Sequence, residues 1–277
     1  AGSASAVAAG LVPFAIGTET LGSIVSPSTV CGTTGLRPTY GRVSRKGAMA
    51  LSWSMDKIGP LTRSSEDALA VLDAIRGKDG HDVRQDAALD YRSMDRKERT
   101  LRIGYLKNDF ARDYPFKLQD SLTLAKLRQL GYQLVPLELP ATPPIGFILE
   151  AEAAAAFDQL TLDNRDDELT RQVKNAWPNV FRAARFIPAV EYIQANRLRT
   201  RLIEDMETAL ENVDLYVHPS WANFTGHPCL VLPNGFQEDG RPTSITFTGK
   251  LYQEGKLVAV GQAYQDATKW DNLHPEL

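Results

Sequence analysis

The pattern of apolar and polar positions divides the chain into recognisable elements. Ser65–Gly77 (SEDALAVLDAIRG) sets Ala68, Leu69, Leu72 and Ile75 at helical spacing. It opens on Ser65 as a capping residue, carries Glu66 and Asp67 in its first turn and closes on Gly77, which together predict a helix. Further on, LRIGYL (101–106) reads as a strand, Lys117–Leu130 as an amphipathic helix stopped by Gly131, and Tyr132–Leu139 as a second strand. A βαβ unit of this kind implies parallel strands with a covering helix.

Pro140, Pro143 and Pro144 break that order. Ile145–Val173 and Ala189–Asn212 then have helical composition, so residues 141–212 read as a helical insertion over one face. From Asp214 the chain turns to candidate strands DLYVHP (214–219), CLVLP (229–233) and TSITFTG (243–249), followed by a closing helix over Glu254–Thr268. Lys78–Thr100 is charge-dense without a period and reads as a surface crossing. These elements predict one α/β domain over residues 1–277, with a mixed central β-sheet covered by helices.

Residues 1–64 do not fit either period. They are rich in glycine and small side chains, which suggests tight backbone packing around something rather than an ordinary helical layer. The bulk numbers fit a globular protein: 277 residues, 43% hydrophobic and 23% charged. A formal net charge of −3 gives no basic footprint, so nucleic acid is not an expected partner. No apolar run approaches the ~20 residues of a membrane helix, and no membrane partner is expected. Ala4–Gly10 is too short for a signal peptide, which leaves a cytoplasmic location as the expectation.

Cys31 and Cys229 are read as reduced core thiols. His81, His218, His227 and His274 show no ligand spacing, so neither a metal nor another cofactor is expected.

The chemistry is concentrated in residues 1–67. Gly2–Gly10 (GSASAVAAG) leads through Gly17-Thr18-Glu19-Thr20-Leu21-Gly22-Ser23-Ile24 to Cys31-Gly32, then to Gly35-Leu36-Arg37-Pro38-Thr39-Tyr40-Gly41-Arg42-Val43-Ser44. This ordered run resembles the amidase signature: a serine-rich turn, an Ala-rich helix, a G-[ST]-[DE]-x-x-G-S-I loop and C-G-x-x-G-L-[KR]-P-T-x-G-R-V-S. The resemblance implies that Ser23 is a nucleophile attacking an amide carbonyl. It also implies an oxyanion hole built from the backbone amides of Thr20, Leu21, Gly22 and Ser23, with Gly22 letting the backbone come close.

A hydroxyl needs a base to take its proton. In the resembling family that role falls to a cis-bonded serine and a buried neutral lysine, which would lie upstream of Ala1. The N-terminal part of the fold is therefore expected to be missing from these 277 residues. Ser3 and Ser5 read as capping and small-residue packing at the start of the Ala-rich helix. Asp56, Gly59, Pro60, Arg63 and Asp67 match a D-x-x-G-P-x-x-R-x-x-x-D continuation and read as a salt-bridged scaffold under the site. His227, in the Thr-Gly-His-Pro loop, reads as structural.

After Ser23, where many relatives carry arginine, the chain has Ile24, Val25 and Ser26. No guanidinium there clamps a carboxylate, and a small-molecule neutral amide with an apolar acyl part is the expected substrate. A homodimer is the expected assembly. Three functions stay open: an amide hydrolase acting through an acyl-Ser23 intermediate, a glutamine amidase of the amidotransferase type that feeds ammonia to a partner, and a fragment without catalysis.

Overall fold

The computed structural model describes residues 1–80, 101–219 and 224–275. Most of the expected surface crossing at 78–100, with His81, lies outside them. The chain opens with α1 (Gly2–Ala8), β1 (Ala15–Glu19), α2 (Val25–Cys31), β2 (Thr34–Arg37) and β3 (Lys57–Thr62). It continues through α3 (Ser65–Ile75), β4 (Arg102–Leu106), α4 (Lys107–Ala111), α5 (Lys117–Gln129) and β5 (Gln133–Leu137). Then come α6 (Phe147–Ala156), α7 (Asp158–Leu162), α8 (Trp177–Ala184), α9 (Ala189–Ala209), β6 (Leu215–Pro219), β7 (Cys229–Phe236), β8 (Pro242–Gly249) and α10 (Glu254–Thr268).

The described strands form one mixed sheet in the order β1-β3-β2-β7-β8-β6-β4-β5. β4 runs parallel to β5 and β6, as the βαβ reading requires, and the remaining pairings are antiparallel. Alternation along the strands sorts the two faces. Leu230 and Leu232 of β7, Ile245 and Phe247 of β8, and Leu215 and Val217 of β6 join Leu69 and Leu72 of α3, Leu127 of α5 and Leu257 and Val260 of α10 in the main core. Cys229 and Val231 point the other way, onto Val25 of α2. On that second face, Met206 and Leu210 from the end of α9 pack on Tyr216.

Several expectations change in detail. The α3 cap is Ser64, whose side chain accepts from the Asp67 N–H, while Ser65 sits inside the helix and donates to Gln265 Oε1 at 2.6 Å. Ser3 and Ser5 do not cap α1. Ser3 Oγ donates to the Ile16 carbonyl at 2.9 Å and ties the helix to β1, and Ser5 Oγ donates back to the Ala1 carbonyl. The helical stretch from Ile145 resolves into α6, α7 and a 3-10 turn at Arg165–Glu168, and α8 adds a helix between the two stretches read as helical. Pro178 lies in the first turn of α8, where a missing N–H costs nothing.

Residues 1–64 also hold three strands, β1 to β3, that neither period suggested. Glycine makes their contact possible. Gly17 faces Gly59 across the β1–β3 ladder, and a Cβ on Gly59 would stand 2.2 Å from the Leu36 carbonyl oxygen.

Candidate functional site

β1 ends at Glu19, and the chain turns through Thr20–Ile24 into α2. The turn depends on Gly22, whose φ of 100° belongs to the region L side chains avoid. Ser23 follows, exposed, on the wall of a cavity of about 440 Å³. Thr18, Thr20, Met49, Leu51, Trp53, Asp56, Lys57 and Ile58 share that wall. Among the described residues, the N–H groups of Leu21, Gly22 and Ser23 meet no hydrogen-bond acceptor. The structure therefore brings Thr20, Gly22 and Ser23 together at one loop. The Leu21 side chain turns away to pack beside Met55, Ile145 and Ile148.

Charged side chains pin both ends of this loop. Glu19 is buried, and its Oε2 accepts from Ile24 N at 2.8 Å and Val25 N at 3.1 Å. Its Oε1 accepts from Arg37 Nη1 at 2.8 Å, and Arg37 Nη2 donates to the His227 carbonyl at 2.7 Å. Burial alone would push the Glu19 carboxyl upward. The Arg37 and Lys57 charges, with hydrogen bonds from Arg37 and Ile24, outweigh it and hold Glu19 at about 2. At the other end Lys57 Nζ donates to the carbonyls of Thr20, at 3.1 Å, and Met55. Burial, reinforced by the charge on Arg37, brings the Lys57 ammonium down to about 7.

Asp56 joins the loop to the facing wall, accepting from Thr20 Oγ1 at 2.6 Å and from the N–H groups of Leu51 and Ser52. That wall is fixed in turn by buried Glu152 of α6. Glu152 accepts from Ser52 Oγ at 2.6 Å, from the Ser54 N–H and hydroxyl, and from Tyr192 OH of α9 at 2.7 Å.

The expected salt-bridged scaffold needs correcting. Asp56 is held by neutral donors, Arg63 donates to the carbonyls of Asp271 and Leu273, and the buried ion pair beneath the loop is Glu19–Arg37. Cys229 is a buried free thiol as expected, but Cys31 is only half-buried, with its sulfur 3.8 Å from Ser5 Oγ. His227 is buried between Thr225 Oγ1 and Glu207 Oε1 and does not line the Ser23 cavity. Among the described residues no cluster of His, Cys, Asp and Glu could hold a metal ion, and no helix is long and apolar enough to cross a membrane. Lys57 and Glu152 escaped sequence reasoning. The one available signal was a lysine and a glutamate in stretches otherwise destined for burial.

Helices over one mixed sheet, with a strand–glycine turn–helix at the mouth of a cavity, define an α/β fold. Residues 1–222 match the amidase family model, and the chain belongs to that family. It is 33% identical to the A-subunit of the glutamyl-tRNA(Gln) amidotransferase of Roseiflexus castenholzii, over the whole of this chain and 67% of that protein. Among solved structures it is similar to an amidase family protein from Bacillus anthracis, with a TM-score of 0.84 and 27% identity. It is likewise similar to the native peptide amidase of Stenotrophomonas maltophilia, with a TM-score of 0.79 and 29% identity. The chain spans 61% and 65% of those two structures, and they cover 100% and 97% of it.

Proposed function

We propose that this protein hydrolyses carbon–nitrogen amide bonds through an acyl-Ser23 intermediate. The observation that carries the reading is the exposed Ser23 hydroxyl beside the unpaired N–H groups of Leu21, Gly22 and Ser23. Ser23 Oγ attacks the carbonyl carbon and gives its proton to a base, while the N–H groups receive the negative oxygen. Collapse of the adduct breaks the C–N bond. The nitrogen leaves protonated, and water then cleaves the ester. In the amidase signature that base is a serine backed by a lysine, and the chain spans about two thirds of the relatives it matches, so the full-length protein is the species to assay.

Met49, Leu51, Trp53 and Ile58 favour a neutral amide with an apolar acyl group. Arg45 lines the same cavity, but it already lies 4.6 Å over the Tyr40 ring and donates to the Trp53 carbonyl. Residues 1–277 are taken as one domain, with 141–212 as its helical insertion, because a single sheet runs from β1 to β5.

The test is Ser23→Ala in the full-length protein, read by ammonia release from an aliphatic amide and by labelling with a fluorophosphonate. By analogy with other serine hydrolases, turnover should fall by about 10⁶ and labelling should vanish. A folded variant within about tenfold of wild type would refute the assignment. The amidotransferase relative supports a second reading, in which glutamine is the amide and a partner receives the ammonia. Hydrolysis of a simple amide by the purified protein without a partner favours the first.

A further inference from the structure

Among the described residues, Lys57 is the buried cation at this site whose bonds run to the nucleophile loop's own backbone. It is 4% exposed, it lines the Ser23 cavity, and its Nζ donates to the carbonyls of Thr20 and Met55. In a trans peptide the C=O and the following N–H point in opposite directions. Anchoring the Thr20 carbonyl on Nζ therefore aims the Leu21 N–H away from Lys57. That N–H is one of the three left without an acceptor.

We propose that Lys57 is a positioning residue of the oxyanion hole: by holding the Thr20 carbonyl it fixes the Thr20–Leu21 peptide so that the Leu21 N–H stays available to the developing oxyanion. The proposal rests on the assignment of Ser23 as nucleophile. It gives the loop two anchors of opposite sign, Lys57 on a carbonyl before Ser23 and Glu19 on the N–H groups after it.

The charged groups around Lys57 bear on how the anchor behaves with pH. Arg37 from β2 works with burial against the ammonium, while Glu19 at the end of β1, Cys229 of β7 and neighbouring Asp56 favour it. A neutral amine still has two N–H bonds, one for each carbonyl. The anchor therefore survives loss of the ammonium proton, and Lys57 contributes no limb to the pH–rate profile.

The experiment is Lys57→Met in the full-length protein, with kcat and KM for an aliphatic amide measured across pH. A displaced oxyanion donor predicts kcat lower by roughly 10–100-fold at every pH, KM within about threefold and the profile's shape unchanged. Affinity for a trifluoromethyl ketone that adds to Ser23 falls by the same factor as kcat. Affinity for a non-reacting substrate analogue stays as it was.

A folded variant whose kcat lies within about threefold of wild type overturns the proposal, as does a rise in KM alone. Loss of a pH limb together with about 10⁴-fold or more of the rate also overturns it, because that result assigns Lys57 proton transfer.

If Lys57→Met does not fold, a backbone ester replacing the Leu21 amide deletes the N–H and leaves Lys57 in place. The same 10–100-fold loss is then expected, and turnover within about threefold of wild type overturns the proposal. Ser23→Ala assayed in parallel separates the two readings. If that variant keeps its turnover, the nucleophile assignment fails whatever Lys57 does.

Discussion

Glu19→Gln removes the negative half of an ion pair whose guanidinium partner, Arg37, is completely buried. The glutamine can still accept a hydrogen bond at the start of α2, but it leaves Arg37 without a counter-charge. Two routes give the size of the effect. A carboxyl held at about 2 in the fold against 4.5 in the unfolded chain stabilises the native state by about 3 kcal/mol at neutral pH. Breaking a buried pair by deleting one partner costs roughly 3–5 kcal/mol. The two agree, and urea unfolding at pH 7 should show Glu19→Gln less stable by about 3 kcal/mol.

The pH dependence supplies an independent check. Because the folded-state value is depressed, the Glu19 contribution is complete above about 4.5 and is lost as pH falls toward 2. The gap between wild type and variant should therefore stay level from pH 7 to 5 and narrow below that. A loss under about 1 kcal/mol at pH 7, or a gap that does not narrow in acid, would refute the account of this pair.

Two other perturbations lie away from Ser23. Asp120 is buried, accepting from Asn234 Nδ2 at 2.8 Å and Tyr114 OH at 3.0 Å, and burial raises its carboxyl to about 6 against those two bonds. A raised acid makes the fold hold its proton, so stability should fall as pH climbs from about 4 to 6, and Asp120→Asn should remove that slope and gain roughly 1–3 kcal/mol at pH 7. Thermal melting of both proteins across pH 4–7 checks it, and an unchanged slope in the variant contradicts it. Gly59→Ala places a Cβ 2.2 Å from the Leu36 carbonyl oxygen and 2.7 Å from Pro38 Cδ, contacts that only backbone movement relieves. It should cost about 3 kcal/mol or more in urea unfolding, and an unaltered midpoint would show that β2 and β3 can separate freely.

What the sequence revealed follows from how each element is buried. α3, α5 and α10 and the strands β4 to β8 carry apolar residues on the faces they hide, and periodicity finds them. β1 to β3 bury Glu19, Arg37 and Lys57 among glycines, so the residues that define the site make its strands look like loop. The motif singles out Ser23 because its spacing survives where periodicity fails. The anchors Lys57 and Glu152 were not legible, since their partners are backbone carbonyls and serine groups set by tertiary folding.

The pairing of β2 with β7 has a consequence for how the protein is made. Thr34–Arg37 finds its second neighbour at Cys229–Phe236, the Ser65 hydroxyl meets Gln265, and Arg42 meets Glu254. A ribosome emits the Ser23 loop well before these distant partners. Until β7 is made, one side of β2 stays unpaired and Arg37 lacks the carbonyl of His227, almost two hundred positions downstream. Contacts so distant along the chain form slowly. The shape of the Ser23 loop thus depends on a chain made through β7, and nascent chains stopped before it carry the motif without these supports.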